Sequence, residues 1–77
     1  MLKAGTKLLF AGKIERAKES LLECVDLDPS AAECHRNLGM LFRKSRSTYK
    51  AREHFTRYLE LAPNAADARQ VRKMIEN

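Results

Sequence analysis

The chain has 77 residues, 44% of them apolar and 32% charged, and a formal net charge of +5. That balance suits one small folded domain and excludes a disordered chain. Three glycines and two prolines leave long unbroken segments, which favours helices over a turn-rich sheet. No apolar run nears the length needed to span a bilayer, and the patch at residues 8–11, behind Lys3 and Lys7, is too short for a secretory signal. The basic residues alternate with acids, as in KIERAKE and KAREHFTR, so the positive charge reads as a solvated surface before it reads as a nucleic-acid footprint.

In chain order, the first predicted helix covers residues 2–11 and stops at Gly12, and the second covers residues 14–27. A third, over residues 31–44, brings Cys34, Leu38, Leu41 and Phe42 to one face at helical spacing. Ser30, with Glu33 three residues on, reads as a capping box at its start. Ser45, Arg46 and Ser47 break that run. The fourth helix, residues 48–61, stacks Ala51, Phe55, Tyr58 and Leu59, and Pro63 stops it because proline has no N–H to donate and pushes Ala62 out of helical geometry. A fifth starts after Asn64, capped by Asn64 with Asp67 at the third position, and its apolar face is Ala68, Val71, Met74 and Ile75.

Two phrases, LDPSAAE and LAPNAAD, recur with Pro29 and Pro63 standing 34 positions apart. The same shift pairs Gly5 with Gly39, Ala17 with Ala51, Leu21 with Phe55 and Met40 with Met74. A fixed interval of this size marks a helical repeat, each unit being two short helices that nest. Gly39 and Ala51 are expected where two antiparallel helices approach closely, since a lone glycine inside a helix costs about 1 kcal/mol against alanine and needs a packing reason. Cys24 and Cys34, ten positions apart, make no disulfide framework and no zinc set. They are expected as buried, reduced thiols, with a disulfide or redox role as the alternative. His35 is expected in the core and His54 at the surface, with no metal site between them.

The run NLGMLF, followed by KAREHF and LELAP, resembles the tetratricopeptide repeat. Leu38, Gly39, Phe42, Ala51, Phe55 and Pro63 carry the likeness in the second unit, and Gly5, Leu8, Gly12, Ala17, Leu21 and Pro29 in the first. The resemblance implies an all-α, right-handed α-solenoid of two antiparallel helix pairs and a C-terminal capping helix. It divides the single domain, residues 1–77, into a first repeat at about 1–29, a second at about 30–63 and the cap at about 64–77. Four departures stand out: His35 holds the family's tryptophan place, Arg46 replaces the usual inter-helix glycine, Tyr58 stands where a small residue is customary, and Arg72-Lys73 replaces the Leu-Gly pair in the last helix.

No phosphate loop, HExxH or Ser-His-Asp set is present, so the chain does not read as an enzyme and calls for no cofactor. The resemblance implies a protein–protein interaction module that holds a peptide or partner protein in a concave groove. The groove face of the first unit would be Leu2, Thr6, Leu9 and Phe10, and that of the last helix Asp67, Gln70 and Met74. At the centre stand Arg36, Asn37, Met40, Arg43 and Lys44, a basic row with apolar relief that suits an acidic peptide; the alternative is a solvated face. Some members hold chaperone tails in a two-carboxylate clamp. Only Asn37 matches that pattern, which disfavours such a ligand. A different class of reading is an assembly element. Stacked repeats need about three units to cover their apolar faces, so the chain would belong to a longer array or self-associate through an N-terminal edge of Leu2, Leu9, Phe10, Leu22 and Val25. RNA or anionic-surface binding is a weaker third reading. The expected location is the cytoplasm, with the bacterial periplasm or a larger parent protein as alternatives.

Overall fold

A computed structural model describes residues 2–76, with side-chain surroundings from residue 12 onward. Four α-helices and no strand form among the described residues: α1 (Leu2–Leu27), α2 (Ala32–Lys44), α3 (Thr48–Leu61) and α4 (Ala68–Glu76). The packing is sequential, α1 on α2, α2 on α3 and α3 on α4, with the α2–α3 contact the most extensive.

The first pair of expected helices is instead one rod: α1 runs straight through Gly12. No described glycine takes a positive φ, so Gly12 supplies no helix stop. The cause is local. Residues 8–19 contain no proline and none of the short polar residues that cap or turn a chain, and a single glycine costs the helix only about 1 kcal/mol. Contrast the break after α2. There Arg46 sits at φ 63°, the left-handed conformation usually given to glycine. Its N–H donates to the Arg43 carbonyl at 3.1 Å and the Ser47 N–H to the Phe42 carbonyl at 2.8 Å. These two bonds form a Schellman closure that satisfies the last carbonyls of α2, so the turn survives with arginine in glycine's place.

The joint between α1 and α2 is built differently from the expected capping box. Ser30 does not cap α2; the N-cap is Ala31, without a side-chain bond. Ser30 turns back, its N–H and Oγ both donating to Asp28 Oδ1 at 3.2 and 2.8 Å, the local turn chemistry that competes with capping. The reversal brings the last turn of α1 onto the first turn of α2, and Cys24 and Cys34 are disulfide-bonded with Cα atoms 6.4 Å apart. The expectation of reduced, buried thiols is therefore corrected: both cysteines are half-buried and no described cysteine is free. The tight turn creates the contact, and the disulfide held as the alternative is the state that forms.

Leu38, Phe55 and Val71 are fully buried and anchor a core completed by Phe42, Ala51, Tyr58 and Ala68. Gly39 leaves no room for a side chain. A Cβ there would lie 2.5 Å from two ring carbons of Phe55, so the absent side chain is what admits the ring. Phe55 is thus the side chain that meets Gly39, and Ala51, one turn before it on α3, is buried in the same core. The fifth predicted helix starts later than expected: residues 62–67 form successive turns and α4 begins at Ala68. Asn64 and Asp67 do not cap a helix begun at residue 65, because the Asp67 carboxylate is engaged elsewhere, as described below.

Two measurements follow. In chemical denaturation, Gly39→Ala is expected to lower stability by about 1–3 kcal/mol through overpacking, whereas Gly12→Ala, whose Cβ meets nothing within 4 Å, is expected to raise it by about 1 kcal/mol. Reduction with dithiothreitol is expected to lower stability by about 2–3 kcal/mol, the entropic value of closing a loop of this length, and the Cys24→Ser/Cys34→Ser variant is expected to show the same loss and no response to reductant.

Candidate partner-binding faces of the second helix

The five residues expected to meet a partner all lie on α2, whose other face buries His35, Leu38, Gly39 and Phe42. They share one side of α2, with Arg36 and Arg43 toward α4 and Asn37, Met40 and Lys44 toward α1.

On the α4 flank, Arg36 is not a free cation. Its Nε donates to Asp67 Oδ2 at 2.5 Å, while Tyr58 Oη donates to Asp67 Oδ1 at 2.5 Å. One carboxylate thereby ties α2 and α3 to the turn that leads into α4. The Tyr58 hydroxyl and then the Arg36 guanidinium hold the Asp67 carboxyl below the usual carboxylate range, since both favour its charged form. The same bond pushes the Tyr58 phenol up, with burial adding to the effect. Asp67 therefore acts as an internal tie rather than a groove contact, and Tyr58, the departure from a small residue, is what reaches it.

Further along this flank a crevice of about 140 Å³ opens over α3, lined by Arg43, Thr48, Ala51, Arg52, Phe55, Met74 and Ile75. Arg43 and Arg52 are both exposed, and neither joins an ion pair among the described residues. Two guanidinium groups therefore flank an apolar floor, an arrangement that can bind carboxylates while burying apolar side chains. Sequence reasoning missed Arg52, which the repeat assigns to the second helix of its pair and not to the groove; only its place in the lining of the same crevice as Arg43 recruits it.

On the α1 flank, Asn37, Met40 and Lys44 line an open, mostly apolar groove with Leu41 of α2 and Lys13, Ile14, Ala17 and Leu21 of α1. Leu2, Thr6, Leu9 and Phe10, the groove residues expected of the first unit, lie outside the described side chains. Leu22 is 41% exposed, as its place on an uncovered edge requires, but Val25 packs against the core.

The histidines form a pair that spacing did not reveal. His35 is buried as expected, but His54 is half-buried rather than exposed. Their Nδ1 atoms lie 3.1 Å apart, and His35 Nε2 lies 2.9 Å from the Pro29 carbonyl. A carbonyl only accepts, so Nε2 carries the proton. Neutral His35 then offers a bare Nδ1 that accepts from the Nδ1–H of His54. Burial lowers the His54 pKa, the neighbouring His35 lowers it further, and Glu53 partly opposes. In the place of the family's tryptophan, His35 thus joins the α1–α2 turn to α3.

A lowered imidazole pKa means the unfolded chain binds more protons than the folded one below pH 6.5, the unperturbed value. Stability from this source is complete above that pH and is lost as pH falls toward the folded value. A titration of unfolding free energy is expected to decline between about pH 7 and 5, and His54→Gln is expected to flatten that limb, leaving a second loss at lower pH as Asp67 protonates.

Comparison with known proteins gives one match: a family model described as Tetratricopeptide repeat covers residues 5–30. No curated protein and no solved structure matches the chain. The matched stretch falls on α1 and the turn after it. The second unit shares its spacing and folds as the helical hairpin α2–α3. Residues 5–30 are thus similar to a tetratricopeptide repeat, and the helices that follow repeat its 34-residue spacing.

Proposed function

We propose that the chain is a non-enzymatic adaptor that holds an acidic segment of a partner protein across the exposed side of α2. Repeats of this family suggest a protein-interaction role in general; the finer reading rests on the crevice between α2 and α4. Arg43 and Arg52 would meet carboxylates at its rim, with Met74 and Ile75 as the apolar floor. Lys44, Asn37 and Met40 would extend the contact toward α1, and Arg36, held by Asp67, would set the far edge. Charge complementarity of this kind speeds encounter and sets orientation, and the apolar floor supplies the remaining affinity.

The test is fluorescence anisotropy with a labelled peptide of alternating Glu and Leu. The natural chain is expected to bind it with a salt-dependent affinity. Arg43→Glu/Arg52→Glu is expected to weaken binding by about tenfold or more with an unchanged unfolding midpoint, because both side chains are exposed. An affinity that ignores this double reversal would refute the reading.

A further inference from the structure

We infer that the α1–α2 groove is the seat of a second copy of this chain, filled by residues 2–11 of that copy's α1 in a two-fold exchange. The 34-residue register identifies the occupant. Ala17 and Leu21, which line the groove from α1, are the repeat counterparts of Ala51 and Phe55. In the second unit those counterparts are 4% and 1% exposed because α2 covers them, and the covering helix brings Gly39 onto the Phe55 ring. In the first unit Ala17 is exposed and Leu21 only half-buried. The helix that belongs there has Gly5 at the place of Gly39 and Leu8 at the place of Phe42.

That segment belongs to the same continuous helix as the α1 wall of the groove, so it does not fold back over it. Ten helical residues reach about 15 Å, and the α1 wall of the groove, from Lys13 to Leu21, spans about 12 Å. The fit in length is therefore close. The register also disposes the charges favourably. Lys3 and Lys7 correspond to Asn37 and Leu41, residues that line the α1 flank of α2. The inserted segment would accordingly keep both lysines off the groove floor. Because the covering helix runs antiparallel to the one it covers, two α1 rods would cross head to tail about an axis near Gly12, giving one closed, isologous dimer. No Cβ stands at that crossing, and a Cβ built at Gly12 meets nothing within 4 Å of its own chain. Each copy would complete the other's first repeat, which a lone chain leaves half covered.

The test is sedimentation equilibrium of the 77-residue chain at micromolar to high-micromolar concentration, with nuclear Overhauser measurements on a mixture of isotope-labelled and unlabelled copies. A concentration-dependent dimer is expected, with intermolecular contacts from Gly5 and Leu8 to Ala17 and Met40. Ala17→Glu, at an exposed position, is expected to weaken dimerisation by about tenfold or more without changing helix content. An Asn-Gly insertion after Gly12 supplies a turn and is expected to give a monomer whose own residues 2–11 fold back. A natural chain that stays monomeric throughout the range, contacts between those residues within one chain, or a dimer indifferent to Ala17→Glu would each overturn the inference.

Discussion

The contact between Gly39 and the Phe55 ring is the constraint on which the rest of the structure depends. It lets α2 and α3 nest closely enough to bury Leu38, Phe42 and Ala51 around the ring. A domain of this size hides only about 60% of its unfolded surface, so one tight seam carries a large share of the available apolar burial. Every other element is fastened to that seam: α4 by Val71 and Ala68, and α1 by its disulfide and the His35 bond to Pro29.

The two flanks of α2 then acquire different characters from what is attached beside them. Toward α4, the Tyr58–Asp67–Arg36 tie consumes one cation and fixes the turn before the last helix, leaving Arg43 and Arg52 as the unpaired positive charges above an apolar floor. Toward α1, Ala17 is exposed and the surface is an apolar groove with lysines in its lining. A single helix thereby offers one side suited to a charged partner and another suited to a helix like itself.

Much of this was legible in the sequence because it rests on periodicity and small residues. The bounds of α3 at Thr48 and Leu61, the buried face of α2 and the apolar face of α4 all follow from apolar spacing and from Pro63. What escaped was set by three-dimensional neighbours. Gly12 looked like a stop because glycine commonly ends helices, yet it does so only when something favours the turn, and nothing near it does. Arg46 looked like a fault and proved able to adopt glycine's conformation. The disulfide and the histidine pair depend on the angle at which the Asp28–Ser30 turn returns the chain, which no spacing encodes. Of the candidate site, the membership of α2 was readable, but its division into two flanks was not, because Arg36 finds Asp67 across 31 positions of sequence.

Native-state amide hydrogen exchange tests the central claim most directly. If the Gly39–Phe55 seam organises the fold, the slowest-exchanging amides will lie in α2 and α3 around Leu38 and Phe55 and will open together, at the free energy of global unfolding. Greatest protection in α1, or separate opening of α2 and α3, would contradict it.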